Sequence, residues 1–497
     1  MTDKTKLLSS FDEVAIDSKE PESPKIVKAP PLILYVFIGI VALSNLMFGY
    51  ENSVIAQGKL DFAKDVGLST TSSEYGFLAG AMPIGATLGV LIAGFMQDSL
   101  GRRRTLCVTS LAYIGATSVS YFSNSFAQLA LGRVLTGVVI GITSSTVPMY
   151  IAELSPPALR GTLVTVNQVA ICTGILIGYG VTKVLSPKWR LEFIMSAPLS
   201  AFLFLMFMFV TPYSPRWLMT KNREDEARKV LMQLRGGDVD VVEAELDGIR
   251  SAISLVAGSN PWSKMREKHV VWAIAIGMIA ATMQQWCGVN AVNAFAQDIF
   301  GYAGFSASDS SVEAIYIGVA KLLFVIVALI LMDRVGRKPL LLVGCAGMTV
   351  TLIGLSQALS AANAAKGVDG KGDVPPLVGY GATVSLVLYM AFFEISLGPV
   401  LWLLLSELYP LQVKGKAMTA GSFTCWLFTY VVTQAFPPMV SSLGAEGVFY
   451  LFSAVCLFSG IWIYYYLPET KGKTLEEIEG ELLSYAGKWK SEKDIDN

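Results

Sequence analysis

Twelve apolar segments, each long enough to cross a bilayer, constrain this chain more than any other feature. They fall near 32–57, 75–97, 105–122, 128–151, 162–182, 191–211, 270–296, 311–332, 339–361, 381–405, 416–436 and 446–467. About 20 apolar residues in a helix match the ~30 Å hydrocarbon core. Inside that core every backbone polar group must be satisfied within the segment, which selects helix. The expected fold is an all-α membrane protein of twelve transmembrane helices, with the lipid bilayer as its solvent. A chain with 53% hydrophobic and only 15% charged residues is too apolar for an ordinary soluble domain. The net charge of −1 averages polar tails, a polar central loop and nearly uncharged spans, so no nucleic-acid partner is implied. The cysteines at 107, 172, 287, 345, 425 and 456 all lie in spans, without paired spacing, and His269 is the only histidine. Neither a disulfide framework nor a metal site is expected. No nucleophile, base and cofactor motif occur together, so the chain reads as a non-enzyme without a cofactor.

The spans divide six and six. Residues 1–30 read as a disordered cytoplasmic tail, 31–211 as the first six-helix half, 212–269 as a cytoplasmic linker, 270–468 as the second half and 469–497 as a second cytoplasmic tail. Within the linker, Glu224–Leu234 and 241–255 carry amphipathic helical patterns. The linker is rich in Arg and Lys, as are the loops bearing Arg102-Arg103-Arg104, Arg160, Arg334, Arg337-Lys338 and Lys414. By the positive-inside rule these loops and both termini face the cytoplasm. The halves also repeat each other. Asp98-x-x-Gly101-Arg102 recurs as Asp333-x-x-Gly336-Arg337, and Glu153 with Arg160-Gly161 recurs as Glu407 with Lys414-Gly415. Taken singly, such charges are topology signals. Their repetition predicts an inner-face latch that forms when the cavity is shut inward and separates when it opens.

Gln284, Gln285, Asn290 and Asn293 stand inside an otherwise apolar run. Unpaired amides in hydrocarbon cost several kcal/mol, so these must face a wet cavity or bond to neighbouring helices. Neutral donors and acceptors together suit a polyhydroxylated solute. On a straight helix the four spread over more than half the circumference, and Gly288 offers a break that re-aims the second pair.

Phe48-Gly49-Tyr50-Glu51, Pro148-Met149-Tyr150-Ile151-Ala152-Glu153, Arg160-Gly161, Ser214-Pro215-Arg216-Trp217-Leu218, Gln284-Gln285-x-x-Gly288-x-Asn290, Asp333-x-x-Gly336-Arg337, Gly398-Pro399-x-x-Trp402 and Pro468-Glu469-Thr470-Lys471-Gly472 follow one another in this order. This set resembles the signature of the sugar porters of the major facilitator superfamily, from the first span to residue 472. The resemblance implies two pseudo-symmetric six-helix halves and a monomer in the plasma membrane. It also implies alternating access for a hexose-like sugar, a pentose, a polyol or a cyclitol. Proton symport is the first expectation. A uniporter, a sugar sensor and a sugar-acid carrier are alternatives.

Four ionisable residues lie well inside spans, Glu51, Arg133, Lys321 and Glu394, and each is a functional candidate because a lone charge there is costly. Glu51 and Arg133 lie at similar depth and can pair. The resemblance implies that Glu51 carries the coupling proton, where proton-coupled members place an aspartate, while the pair can also be a permanent tie between helices. Lys321 stands where the family usually offers an asparagine, and it can pair with Glu394 or receive an anionic substrate. The resemblance further implies sugar contacts at Gln168, Gln284, Gln285, Asn290 and Trp402, with Lys321 and Glu394 beside them. Cys425, in place of an amide, and Asn293-Ala294-Phe295, in place of paired aromatics, depart from the family. The outer gate is therefore expected to pack differently.

Overall fold

The computed structural model describes residues 30–57, 59–67, 73–257, 263, 265–367, 373–409, 413–471 and 473. Residues 1–29 of the tail expected over 1–30, and all of 474–497 in the tail expected over 469–497, lie outside the described residues. Among the described residues, ten helices are long and apolar enough to cross a membrane. Nine of them are single spans. The tenth, Lys414–Tyr466, runs 53 residues, about 80 Å at ~1.5 Å per residue, and breaks at Gly444, where φ is 75°. It therefore crosses twice. The twelfth crossing is the third span, Arg102–Tyr121, whose buried face carries Thr105, Thr109, Ser110, Thr117 and Ser120. Those hydroxyls donate to carbonyls three or four residues back, as from Thr109 and Ser110 to Leu106, so a hydroxyl-rich helix stays satisfied in an apolar setting.

Three spans are broken, each at a residue that explains the break. The sixth is Trp189–Ile194 followed by Ala197–Phe209, with Pro198 opening the second piece. The seventh is Lys268–Trp286 followed by Val289–Ala294, parted by Gly288 at φ 93°. A side chain at Gly288 would also meet the Phe452 ring at 2.3 Å, so position and conformation both require glycine. The tenth is Pro376–Ile395 followed by Leu397–Leu408, parted at Ser396 just before Gly398-Pro399.

Helix association without a hydrophobic drive depends on close approach, and glycines provide it here. The second span (Ser73–Leu100) meets the fourth (Phe126–Leu154) through Gly85 and Gly89 on one side and Gly137 and Gly141 on the other. A Cβ at any of these would stand 2.1 Å from a carbonyl oxygen of the facing helix. The first span (Leu32–Gln57) meets the fifth (Arg160–Leu185) in the same way. Gly49 faces the Ile171 carbonyl and Gly174 the Leu46 carbonyl, both at 2.0 Å from the missing Cβ.

Between the halves, Pro215–Thr220, Glu224–Leu234 and Val239–Ala257 form three short helices. Their apolar faces share a small core of Trp217, Leu218, Ala227, Leu231, Val242 and Leu246. Trp217 Nε1 donates to the Asp98 carbonyl at 3.2 Å and seats this unit on the arginine-rich, or basic, end of the bundle. Replacing Gly137 by leucine or Gly141 by valine is expected to abolish the folded, monodisperse protein, because a backbone carbonyl cannot yield 1 Å or more without parting the helices. Gly39→Ala and Gly115→Ala, where an added methyl meets nothing within 4 Å, should leave yield and the size-exclusion profile unchanged.

Candidate functional site

The break at Gly288 brings the amides to one place. Gln284, Gln285, Asn290 and Asn293 all line a central cavity of about 710 Å³, including its opening, between the two halves. They satisfy one another in a chain. Gln284 Nε2 donates to the Leu397 carbonyl at 2.6 Å, in the first turn after the break in the tenth span. Gln285 Nε2 donates to Gln284 Oε1 at 2.9 Å. Gln285 Oε1 in turn accepts from Asn290 Nδ2 at 2.5 Å and from Thr429 Oγ1 at 2.9 Å. Cys425, the departure from an amide, takes part through its sulfur, 3.0 Å from Gln285 Nε2.

Gln168, Lys321 and Trp402 also line the cavity. Glu394 stands behind this wall, fully buried, with its carboxylate 2.9 Å from Lys321 Nζ and 3.2 Å from Gln168 Nε2. Lys321 also lies 3.4 Å from Asn293 Oδ1. The cavity thus sees an ammonium whose charge is balanced from the rear.

Sequence reasoning missed Asn45, Asn52, Ser144, Asn167, Trp426 and Thr429 as cavity-lining residues. The available signal was a scatter of polar residues, among them Ser44-Asn45, Asn52-Ser53 and Thr143-Ser144-Ser145-Thr146, on otherwise apolar helices. Asn45 Nδ2 donates to Asn167 Oδ1 at 2.7 Å, and Trp426 Nε1 donates across the seam to Ser144 Oγ at 3.1 Å. The cavity floor toward the end opposite the basic loops is closed by rings. Phe295 stacks on Phe436 at 4.9 Å and meets the edge of Tyr75 at 5.8 Å. A single phenylalanine from the seventh span, answered by a tyrosine from the second, fills the position where paired aromatics were missing.

Glu51 and Arg133 form an ion pair away from the cavity wall, at 1% and 0% exposure. Arg133 Nη1 donates to Glu51 Oε2, Arg133 Nη2 lies 3.3 Å from the Glu51 carbonyl, and Tyr113 donates its hydroxyl to Glu51 Oε1 at 2.8 Å. Breaking one side of such a pair typically costs ~3–5 kcal/mol, so the two are held to each other unless a proton replaces the cation.

At the basic end the repeated charges make two matching constellations. Arg102 binds Glu153 through Nη2 at 2.8 Å and the Gln97 carbonyl at 3.1 Å, while Ser214 Oγ donates to Glu153 Oε2 at 2.5 Å. Arg337 binds Glu407 through Nη2 at 2.8 Å and the Met332 carbonyl at 3.3 Å, while Thr470 Oγ1 donates to Glu407 Oε2 at 2.6 Å. The correspondence of Ser214 with Thr470 extends the repeat beyond the motifs that announced it. Arg160 and Lys414 open the fifth and eleventh spans; Arg160 Nε donates to the Ala152 carbonyl at 3.1 Å. Asp98 is exposed, and the side chain of Asp333 lies outside the described residues. Glu469, beyond the last span, accepts from the backbone N–H groups of Arg337 at 3.1 Å and Lys338 at 3.0 Å, capping the ninth span (Arg337–Lys366). Partial burial raises its carboxyl, but the backbone N–H donors outweigh that and hold it below the usual carboxylate range.

Residues 37–482 match the family described as sugar (and other) transporters. The glucose transporter GlcP of Staphylococcus epidermidis is 32% identical over 91% of this chain and 98% of its own length. The D-xylose-proton symporter of Escherichia coli is 30% identical over 90% of this chain and 95% of its own. Among solved structures, the major facilitator proton:xylose symporter XylE bound to 6-bromo-6-deoxy-D-glucose superposes with a TM-score of 0.77 at 26% identity, covering 91% of this chain and 99% of that one. The inward-open xylose transporter XylE from E. coli gives 0.72 at 27% identity, over 90% and 99% of the two chains. The likeness spans both halves and every element that builds the cavity, and the chain belongs to the sugar transporter family of the major facilitator superfamily.

Proposed function

We propose that this protein carries a neutral, hexose-like sugar across the plasma membrane together with a proton, as a monomer, with the basic end and both termini in the cytoplasm. The observation that carries the reading is the division of labour between two sites. The cavity wall is built of neutral donors and acceptors, with the Trp402 indole and the Lys321 ammonium balanced by Glu394 beside them, while the Glu51–Arg133 pair lies off the wall. Sugar hydroxyls would exchange their water for Gln168, Gln284, Gln285 and Asn290. The apolar C–H face of a pyranose would lie on Trp402. A proton arriving at Glu51 from outside would release Arg133, removing the strongest tie between the first and fourth spans and letting the halves change their tilt. Asp98, Arg102, Glu153 and Arg160, with their counterparts Asp333, Arg337, Glu407 and Lys414, would gate the cytoplasmic face.

Gln285→Ala is expected to weaken substrate binding by roughly tenfold, since a lost net hydrogen bond is worth ~1–1.5 kcal/mol and its removal also orphans Thr429 and Asn290. Competition binding on purified protein measures this. An unchanged affinity with lowered yield would make Gln285 structural.

Lys321→Asn leaves Glu394 buried without its cation, so it should impair transport more than the double variant Lys321→Asn/Glu394→Gln does. The coupling between the two sites should reach ~1 kcal/mol or more in apparent affinity. Additive effects would dissolve the pair as a functional unit.

Glu51→Gln keeps the size and hydrogen bonding of the side chain and removes the proton site. In proteoliposomes the variant should lose accumulation against a gradient and lose most of the dependence of uptake on external pH, yet still exchange sugar down its gradient. If the unmodified protein neither acidifies the lumen nor accumulates sugar under an imposed proton gradient, the carrier is a uniporter.

A further inference from the structure

Glu192 is a buried acid that this mechanism leaves unused. It sits in the first turn of the short helix Trp189–Ile194, at the end opposite the basic loops, with 0% exposure. Neither carboxylate oxygen makes a well-formed hydrogen bond, and the Thr182 hydroxyl set beside it is a neutral donor. Two cations on this side are engaged elsewhere: Arg190 binds Asp65 at 2.8 Å and Arg133 binds Glu51. The groups that face Glu192 are Asp61 from the helix Lys59–Asp65, Tyr50 and beyond it Glu51 from the first span, Thr182 from the fifth and, through Ser196, Tyr113 from the third. Tyr50 donates its hydroxyl to the Glu192 backbone carbonyl at 2.5 Å rather than to the carboxylate. An ionised carboxylate buried here is paired with no cation among the described residues and meets Asp61, a charge of its own sign.

We propose that Glu192 is a second proton-binding site, distinct from the Glu51–Arg133 pair, and that the helix Lys59–Asp65 seats over it only when it is protonated. The seat is well defined. Phe62, fully buried, packs on the rings of Trp189, Phe193 and Tyr75. Asp65 accepts from Trp189 Nε1 at 2.9 Å, and Ser186 Oγ donates to Asp61 at 2.7 Å. When Glu192 gives its proton back to water, it faces Asp61 as a like charge and draws solvent, which reaches it only if the short helix lifts. Lifting withdraws Phe62 from Tyr75, the ring that meets Phe295 of the other half. The proton comes from the solution at this end and returns there, and only the carboxyl O–H bond is made and broken. The site thus couples external pH to closure of this end, independently of Glu51.

The first test needs no substrate. A group that keeps its proton in the folded protein and loses it on unfolding makes stability fall as pH rises above the ordinary glutamate range near ~4.3. Full-length protein in detergent should therefore show the melting temperature of Glu192→Gln rising above that of the unmodified chain between pH 5.5 and pH 8, the gap widening by at least ~2 °C. Glu192→Met, which replaces the acid with an apolar chain of similar length, should behave the same way and serves if the glutamine variant does not fold. A gap that is equal at both pH values overturns the proposal. The second test rests on the carrier reading. In the Glu51→Gln background, sugar exchange in proteoliposomes should keep a residual slowing at high external pH, and adding Glu192→Gln should abolish it. Residual dependence that survives in the double variant also overturns the proposal. Because the melting comparison does not involve Glu51, its outcome stands even if Glu51 proves not to carry the coupling proton.

Discussion

The rest of the structure depends on one rule of the hydrocarbon core: a polar group there must find a partner or open to water. Four links in the cavity wall obey it. Thr429 and Asn290 donate to Gln285, Gln285 donates to Gln284, and Gln284 donates to the Leu397 carbonyl beside the break in the tenth span. The amides of the seventh span are thus satisfied by one another and by groups on the tenth and eleventh. A ligand hydroxyl entering this chain exchanges one bond for another of similar strength, with a net gain of only ~1 kcal/mol per bond. Such a wall discriminates by geometry and by the penalty for leaving a link unpaired, and it can release what it binds.

The two buried ion pairs answer the same rule differently. Burying a pair gains little stability over apolar packing and makes the loss of either partner expensive. Glu51 and Arg133 are closed off by Tyr113 and by the Phe193 ring, 5.8 Å from the guanidinium, so the charge of one is balanced only by the other. Lys321 instead shows its ammonium to the cavity and keeps Glu394 behind it. A hydroxyl oxygen meets a strong donor there without meeting a net charge. A carboxylate ligand would have to work against the field of Glu394, which favours a neutral ligand in the same cavity.

Most of the fold was legible because the long apolar runs and the repeated charged loops are local features. Glu224–Leu234 forms over the residues its amphipathic pattern marks. Three crossings needed more than apolarity: the third, which is rich in hydroxyls, and the last two, joined through Gly444 into one helix. In the site, the amide cluster and Gly288 stood out because four amides in one apolar run have no local explanation. Asn45, Asn167, Ser144 and Thr429 did not, since the partner that places each of them sits on another helix. Depth alone indicated that Lys321 and Glu394 stand at one level, yet only the packing shows which of them faces the cavity. Glu192 escaped notice for a similar reason. It lies at the edge of a span, where an acid is unremarkable until a second helix covers it.

Within each half, the joints are rigid. Glycines bring backbones to within a methyl's breadth, and Arg102 with Glu153, or Arg337 with Glu407, clamps the basic end through several bonds at once. Across the seam the described polar contacts are single ones. They include Trp426 to Ser144 at 3.1 Å, Gln168 to Glu394 at 3.2 Å and Thr165 to the Met332 sulfur at 3.7 Å, with Tyr75 against Phe295 at one end. Each of these costs about 1 kcal/mol to give up, whereas opening a glycine contact exposes two helix faces at once. A motion that spares the halves and spends the seam is therefore the soft one, and the cavity lies on that seam. The same residues that bind ligand there, Gln168 above all, also hold the halves together, so occupancy of the site and the tilt of the halves are mechanically one variable.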